Sequence, residues 1–255
     1  MRTVVKIGGA WLSVGPSRAE LESLARMPGE VIVVHGGGAE ISRWSERLDL
    51  PVEWADGLRV TRGETVQLTS MVLSGWMNKR LSSSLATAGR PSIGLSGEDG
   101  PLLRARLLDE DRYGRVGEVS GVDPAPLQAL LGGGFTPVVS PLARGEDGDP
   151  VNVNADEAAV GLARAMGADR LLLVSDVPGV LLDGEVLDHL DADRASEMQA
   201  SGVVVGGMAV KVGRALSAAE AGMDVRIGSG GLLTGGAGTR VLASAMVGAG
   251  PRGAA

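Results

Sequence analysis

Short apolar runs alternate along this chain with stretches in which apolar residues recur every three or four positions. The runs predict buried β-strands, and the longer spacing predicts helices. Strands are expected at 4–7, 31–34, 92–95, 137–140, 171–174 and 224–227. Helices are expected at 18–27, 40–48, 64–88, 126–132, 156–166, 193–200 and 211–221. The alternation predicts an α/β fold, a three-layer αβα sandwich with a mainly parallel central sheet that binds ligands at the carboxyl ends of its strands.

Some regions depart from this alternation. Residues 102–122 contain short alternating stretches around a polar turn, which predict an antiparallel hairpin beside the sheet. The connection after the helix at 156–166 predicts a boundary between two lobes, 1–167 and 168–255. The small, glycine-rich tail at 248–255 is expected to be frayed.

Composition narrows the kinds of partner. An apolar content of 44% in 255 residues is ample for a core. A net charge of −7 without any block of Lys or Arg argues against nucleic acid or a membrane as partner, so a small molecule is expected. The absence of cysteine excludes disulfides, a thiolate nucleophile and Cys-based metal sites, and two histidines are too few for a His-rich metal site. No apolar stretch reaches membrane-spanning length, and a soluble, cytoplasmic protein is expected.

The candidate chemistry begins where two strands end in consecutive glycines. Lys6 is followed by Ile-Gly-Gly, and the run at 31–34 is followed by His-Gly-Gly-Gly. Glycine lets backbone N–H groups approach a ligand that a Cβ would hold away, and the start of a following helix attracts negative charge. The two glycine corners therefore predict a site for phosphate or carboxylate groups. Neither a P-loop nor a dinucleotide-binding G-x-G-x-x-G follows a strand, so another phosphate chemistry is required.

The corners belong to an ordered set of segments. These are Lys6-Ile-Gly-Gly9, His35-Gly-Gly-Gly38, Gly57-Leu-Arg-Val-Thr61, Asn152-Val-Asn-Ala-Asp156, and Ser175-Asp-Val-Pro-Gly-Val180 with Gly206-Gly-Met-Ala-Val-Lys211. Together they resemble the amino acid kinase family over about residues 4–239. Within it, the match is closest to members that phosphorylate the side-chain carboxylate of N-acetyl-L-glutamate in arginine biosynthesis. The resemblance implies the amino acid kinase-like fold and in-line transfer of a phosphoryl group from ATP to the γ-carboxylate.

The resemblance also implies a role for each segment. The catalytic residues are expected to be Lys6 at a strand end, Lys211 at a helix start, and Asp156, which would hold both ammonium groups. The residues expected to bind the acceptor are Gly37, Gly38, Arg59, Asn152 and Asn154, although Asn154 could equally be the N-cap of the helix that begins near 156. The residues expected to bind the nucleotide are Gly8, Gly9, Ser175, Asp176, Val177, Pro178, Gly179, Val180, Val203, Val204 and Val205. The N-terminal lobe would bind the acyl amino acid and form the dimer interface, and the C-terminal lobe would bind ATP.

The metal and the oligomeric state follow from the same resemblance. Mg²⁺ is expected with ATP and would be held by phosphate oxygens and water, so no protein ligand is assigned. Glu98 and Asp99 are interpreted as a solvated acidic turn. His35 is interpreted as structural, because a carboxylate acceptor has no proton to lose. The five residues before Lys6 leave no room for the N-terminal helix that interlocks arginine-inhibited hexamers, and a homodimer is expected.

Several alternatives remain open for the substrate and the class. Ala10 stands where many acetylglutamate-phosphorylating members have Asn and where kinases of carrier-protein-linked aminoadipate or glutamate often have Ala. The Gly-Leu-Arg-Val-Thr run at 57–61 favours free N-acetylglutamate, and an N-succinyl substrate stays possible. A non-catalytic sensor of an acidic metabolite is the alternative of another class, since fold does not fix function.

Overall fold

The computed structural model describes residues 1–243, apart from the side chains of Ala10, Ser13 and Val14. The tail at 248–255, expected to be frayed, lies outside these residues. None of the described helices is long and apolar enough to cross a membrane.

A central sheet of eight strands organises the chain. Its strands, in spatial order, are β14 (His189–Leu190), β16 (Thr239–Val241), β15 (Asp224–Gly228), β11 (Arg170–Val174), β1 (Arg2–Ile7), β2 (Glu30–His35), β8 (Thr136–Ser140) and β5 (Ser92–Ser96). All neighbours are parallel except β15 and β16. The six predicted strands all belong to this sheet, so the mainly parallel sheet is confirmed.

Helices cover both faces of the sheet, because successive side chains of a buried strand point to opposite sides. One side of β1 and β2 packs with helices α8 (Ala155–Ala165) and α10 (Gly206–Glu220) in the largest apolar cluster. The other side packs with helices α2 (Arg18–Ala25) and α5 (Asn78–Thr87). These layers confirm the αβα sandwich. Because β11 pairs with β1 along its whole length, the sheet is continuous across the predicted lobe boundary at 167 and 168.

The predicted hairpin at 102–122 is part of a larger unit. Strands β6 (Leu103–Leu107) and β7 (Val116–Val122) are antiparallel, as expected, but helix α6 (Glu110–Tyr113) lies between them. They close into a four-stranded barrel with β9 (Leu142–Arg144) and β10 (Pro150–Val153). The partners β9 and β10 follow much later in the chain, so local alternation alone could not reveal them.

The helix predicted at 64–88 is interrupted. Helix α4 (Glu64–Ser70) leads into a π-helix (Met71–Met77), which leads directly into α5. Over only seven residues, the spacing of apolar positions does not distinguish a π-helix from an α-helix, so the pattern predicted one continuous helix. Segments of this kind occur often at functional sites. Here it lies behind the second glycine corner.

The other elements complete the framework of the site. Helix α1 (Gly9–Val14) was not predicted, and helix α3 (Gly38–Arg47) begins two residues earlier than expected. Helix α10 begins five residues before the predicted start, so Lys211 lies in its second turn rather than at its first residue. The remaining elements are the hairpins β3 (Trp54–Ala55) with β4 (Leu58–Arg59) and β12 (Leu181–Leu182) with β13 (Glu185–Val186), helices α7 (Ala125–Gly132) and α9 (Ala192–Ala200), and a 3₁₀-helix (Gly230–Thr234).

Candidate active site

The two glycine corners meet at the carboxyl edge of the sheet. Strand β1 lies between β2 and β11, and in the registers Ile7 is paired with His35 on one side and with Val174 on the other. A crevice at such a reversal of strand order is the usual ligand site of an open α/β sheet. The corners are in direct backbone contact, since a Cβ on Gly9 would lie 2.8 Å from the Gly37 nitrogen. Only glycine fits this approach.

The glycines of the two corners differ in whether they line the cavity. The Gly8 N–H donates to the Val174 carbonyl at 2.9 Å, so Gly8 ties the first corner to strand β11 and cannot offer this N–H to a ligand. Gly9, Gly37 and Gly38 line a cavity of about 240 Å³. Gly37 and Gly38 are the N-cap and first residue of α3, and the first N–H groups of a helix have no acceptor within it. The second corner can therefore present N–H groups to an anion.

A buried cluster of three charges lies beside the corners. Asp156 Oδ1 is 2.7 Å from Lys6 Nζ, and its Oδ2 accepts a hydrogen bond of 2.8 Å from Lys211 Nζ. Each of the three side chains is 9% exposed. Two ammonium groups and one carboxylate leave one net positive charge, which suits a site for anions. The structure thus brings together the three residues predicted as catalytic.

Burial sets the electrostatics of this cluster. It lowers the pKa of Lys6, the ammonium of Lys211 lowers it further, and the carboxylate of Asp156 opposes both. Burial alone would raise the pKa of Asp156, but the two lysines outweigh it and hold that pKa below its ordinary value. The carboxylate is therefore ionised at neutral pH and acts as a fixed counter-charge.

Helix α8 holds Asp156 in place. Asn154 is the N-cap of this helix, and its Oδ1 accepts from the N–H groups of Asp156 at 2.8 Å and Glu157 at 3.3 Å. The Glu157 side chain accepts from Val119 N of the barrel and from Arg214 of α10, each at 2.7 Å. The N-cap alternative for Asn154 is thus realised, and the same residue also lines the cavity.

Arg59 also lines the cavity. The side chain donates to the Gly38 carbonyl at 2.8 Å and to Ser42 Oγ, and its Cζ lies 4.6 Å from the ring centre of Trp54. Burial lowers the pKa of Arg59, yet the Nε and Nη1 atoms have no hydrogen-bond partner among the described residues. A guanidinium with unpaired buried nitrogens can bind a carboxylate.

The sequence did not reveal several residues of the cavity wall. Asn152 lines it as predicted, and its Nδ2 donates to Thr61 Oγ1 at 3.1 Å. The unpredicted wall is mostly apolar and comes from separate elements: Ile41, Trp54, Leu58, Leu73, Val116, Pro141 and Val153. Trp54 lies opposite Arg59 in the β3–β4 hairpin, and the only sequence signal for it was an aromatic residue shortly before the Gly-Leu-Arg-Val-Thr run.

Apart from Gly9, the residues predicted to bind the nucleotide do not line this cavity. Ser175 follows β11, its N–H donates to Gly228 O at 2.7 Å, and Val180 N donates to Thr239 Oγ1 at 2.8 Å. A Cβ on Gly179 would lie 2.5 Å from Val186, so this turn packs tightly. The turn shares the carboxyl edge of the sheet with Lys6, because β11 pairs with β1.

Residues 203–205 form a loop before α10. The N–H groups of Val203 and Val204 both donate to Met198 O. The Val204 side chain is buried, whereas Val203 and Val205 are exposed. The two exposed valines offer an apolar surface next to the helix that carries Lys211.

His35 is fully buried at the end of β2, as its structural interpretation requires. Its Nδ1 lies 3.0 Å from Gly36 O and its Nε2 lies 3.2 Å from Asn78 Nδ2. Burial lowers the pKa of His35 to about 4, so the ring is neutral at physiological pH. In the acidic turn, Asp99 Oδ2 accepts from Ser96 N at 2.7 Å, and burial raises the pKa of Glu98.

Comparisons with known proteins agree with this geometry. The model of the amino acid kinase family matches residues 1–229. An acetylglutamate kinase of Rubrobacter xylanophilus is 44% identical over 232 residues, which are 91% of this chain and 90% of that protein. An acetylglutamate kinase of Methanopyrus kandleri is 43% identical, over 86% of this chain and 91% of that protein. The crystal structure of smu.665 from Streptococcus mutans has a TM-score of 0.84 at 30% identity, covering 95% of this chain and 99% of that one.

The charge cluster predicts a specific loss of stability. We expect Asp156→Asn to lower the free energy of unfolding by about 3 kcal/mol at pH 7, because two buried ammonium groups lose their counter-charge. The folded-state pKa of Asp156 lies below its ordinary value of 3.8, so the stabilisation is complete above about pH 5 and is lost as the pH falls through the folded-state pKa. The deficit of the variant should therefore shrink below about pH 3.8 in urea titrations.

Glu22→Gln is the matched control. Glu22 also lies between two cations, Arg18 at 2.7 Å and Arg26 at 2.9 Å, but on the surface. We expect its removal to change stability little. Equal losses in the two variants would contradict the importance of the buried cluster.

Proposed function

Because this chain belongs to the amino acid kinase family, we propose that it transfers the γ-phosphoryl group of ATP to the γ-carboxylate of N-acetyl-L-glutamate in arginine biosynthesis. The relatives of 44% and 43% identity that are acetylglutamate kinases support this substrate. The observation that carries the chemistry is Asp156, which holds both lysine ammonium groups at the edge of an anion-binding cavity. A protein that only bound a carboxylate would not need two buried cations around one organising aspartate.

The reaction brings two anions together. A carboxylate oxygen attacks the γ-phosphorus, the bond from that phosphorus to the bridging β-phosphate oxygen breaks, and ADP leaves with the electron pair. The repulsion is about 4 kcal/mol for each charge pair at about 4 Å in a medium of dielectric constant about 20. Lys6 and Lys211 offset it by stabilising the transferring group and the leaving β-phosphate. No proton is transferred, so no general base is needed.

The acceptor would lie across the cavity. The N–H groups of Gly37 and Gly38 would hold the γ-carboxylate, and the unpaired nitrogens of Arg59 would hold the α-carboxylate. Trp54 stacks on this guanidinium and keeps it oriented. Asn152 and the amide nitrogen of Asn154 would contact the acetamido and carboxylate groups. In this arrangement the reacting carboxylate is on the side of Lys6.

The donor would lie on the other side of β1. Gly9, the turn at 175–180 and the loop at 203–205 would contact ATP, with Gly8 supporting the corner from behind. The apolar surface of Val203 and Val205 suits the adenine side. Mg²⁺ would accompany ATP and be bound by phosphate oxygens and water. This division makes 1–167 the acceptor lobe and 168–255 the ATP lobe.

Because ATP is supplied inside the cell, the reaction would take place in the cytoplasm.

The proposed assembly is a homodimer formed by the N-terminal lobe. Among the described strands, β5 ends the sheet, and its outer edge has no neighbour. The π-helix and α5 pack beside it, and exposed apolar side chains lie on these elements at Met71, Trp76 and Ile93. An open strand edge flanked by apolar side chains suits a second copy of the same surface.

A direct assay tests the substrate. With Mg-ATP and hydroxylamine, the protein should form an acyl hydroxamate from N-acetylglutamate at a kcat/KM at least about tenfold above that for N-succinylglutamate, N-acetylaspartate or aspartate, since the cavity must match the acyl group and chain length. A carrier-protein-linked aminoadipate or glutamate is assayed in parallel. A preference for any of these other acceptors would contradict the substrate, and no hydroxamate from any acceptor would favour the sensor.

A lysine substitution tests the mechanism. Lys211→Met should reduce kcat by about 10²-fold or more while the KM for N-acetylglutamate changes little, because this ammonium acts on the phosphoryl group rather than on the acceptor. Arg26→Met removes a surface cation whose side chain is 75% exposed, and this control should retain wild-type kcat. Unchanged turnover of Lys211→Met would refute the proposed role of the lysine pair.

A surface substitution tests the homodimer. The wild-type protein should elute in gel filtration as a dimer, and Ile93→Lys should shift it to a monomer by placing a charge on the edge strand. Leu181→Lys is matched, because Leu181 is 38% exposed and Ile93 is 36% exposed, but it lies in the other lobe and should remain dimeric. A monomeric wild type, or a dimeric Ile93→Lys variant, would show that this edge is not the interface.

A further inference from the structure

His35 has a hydrogen-bonding arrangement that a space-filling residue would not need. The ring is 0% exposed, and both nitrogens are engaged: Nδ1 with Gly36 O at 3.0 Å and Nε2 with Asn78 Nδ2 at 3.2 Å. A neutral imidazole carries one N–H and one acceptor nitrogen. The position of its single proton therefore decides which neighbour the ring can hold.

Asn78 fixes that position. The two hydrogens of its Nδ2 are shared among three acceptors: His35 Nε2 at 3.2 Å and two backbone carbonyls, Val138 O at 2.8 Å and Leu95 O at 3.2 Å. Rotating the amide by half a turn would place its oxygen against both carbonyls, so the nitrogen must face this way. Asn78 Nδ2 cannot accept a hydrogen bond, so a proton on Nε2 would have no partner there, whereas the Gly36 carbonyl can only accept. The proton therefore lies on Nδ1, and Nε2 is the acceptor. His35 thus donates from Nδ1 to the carbonyl of Gly36.

The bond to Gly36 orients the next peptide N–H. In a planar trans peptide the carbonyl of one residue and the N–H of the following residue point in opposite directions. Holding Gly36 O on the His35 side therefore directs the Gly37 N–H away from the ring. The neighbouring groups are fixed as well, since Gly36 N donates to Ile7 O at 2.8 Å and Arg59 holds Gly38 O. The second glycine corner is thus anchored on both sides of Gly37.

The π-helix that packs against the second glycine corner is continuous with the helix that carries Asn78. Asn78 is the first residue of α5 and directly follows the π-helix. Two residues of that π-helix, Leu73 and Met77, pack against Gly37, where a Cβ would lie 2.4 Å and 2.7 Å from their side chains. Packing on Gly37 and the tautomer of His35 are therefore set by one segment.

We propose that His35, with its tautomer fixed by Asn78, is a positioning residue that directs the Gly37 N–H toward the carboxylate of the acceptor. This inference rests on the proposed function, in which Gly37 binds the γ-carboxylate. The ring exchanges no proton during the reaction. It sets the direction of one backbone donor, and a misplacement of about 1 Å near the reacting atoms can cost about 10²-fold in rate.

Nuclear magnetic resonance tests the tautomer without reference to activity. The chain has two histidines, so a protein labelled with ¹⁵N-histidine gives two sets of ring signals, and loss of one set in a His35 variant assigns them. We expect His35 to be protonated on Nδ1 and unprotonated on Nε2 from pH 6 to 8. A proton on Nε2 would overturn the proposal.

Two amide substitutions test the positioning. His35→Asn places an amide near the position of Nδ1 and can still donate to Gly36 O, whereas His35→Gln reaches the position of Nε2 and cannot. We expect kcat/KM for the acceptor to stay within about threefold of wild type in His35→Asn and to fall at least about tenfold in His35→Gln. The KM for ATP should stay within about twofold in both. If His35→Gln does not fold, His35→Leu, which also lacks the donor, replaces it.

The remaining outcomes each decide the matter. Equal loss of kcat/KM in both variants, or reduced stability with unchanged constants for the folded fraction, would show that the ring only fills space and would overturn the proposal. Wild-type protein is assayed alongside with N-acetylglutamate. If the wild type forms no acyl hydroxamate, the proposed function fails, and that result is distinct from a wild type that is active and indifferent to the His35 substitutions.

Discussion

One buried carboxylate holds two ammonium groups at the edge of the sheet, and the rest of the site depends on this interaction. Burying a charge is costly unless a partner compensates it, and two like charges in one place are costlier still. Asp156 compensates both lysines only if β1, α8 and α10 lie at fixed positions relative to one another. The fold is thus required for the charges to coexist. The one net positive charge that remains would be compensated by the anionic substrates of the proposed reaction.

The glycine corners show a second constraint, which is the absence of side chains. Gly9 and Gly37 approach so closely that a Cβ on Gly9 would lie 2.8 Å from the Gly37 nitrogen. Their closeness brings the ends of two strands within reach of one ligand pair. The second corner is held by contacts with Ile7, Ile41, His35, Arg59 and the π-helix. The glycines of this corner have no side chains, so the neighbouring residues fix the loop by binding the carbonyls of Gly36 and Gly38.

The sequence predicted the parts of the structure that have strong local patterns. The six core strands are buried apolar runs, and their positions agree with the structure to within two residues. The start of α10 was missed, because Gly206 and Gly207 are poor helix formers and only tertiary packing extends the helix over them. Of the barrel, the sequence predicted only the hairpin at 102–122, because β9 and β10 pair with it from a later segment of the chain. In the site, the motifs identified Lys6, Asp156 and Lys211 as candidates. No sequence pattern could show that the Gly8 N–H donates to the Val174 carbonyl or that Trp54 stacks on Arg59.

Strand β1 pairs with β2 on one side and with β11 on the other, so the sheet fixes the spacing between the segments that follow these strands. Neighbouring strands are about 4.8 Å apart, so the anchor points that follow β2 and β11 are about 10 Å apart, whatever the loops above them do. Loop movements can change how tightly each substrate is covered, but they cannot change this spacing. Insertions in the connecting loops are compatible with the reaction as long as the three strands keep their register. The spacing of the two proposed substrate anchors is therefore set by backbone hydrogen bonds of the sheet, and the same register fixes the position of Lys6 between them.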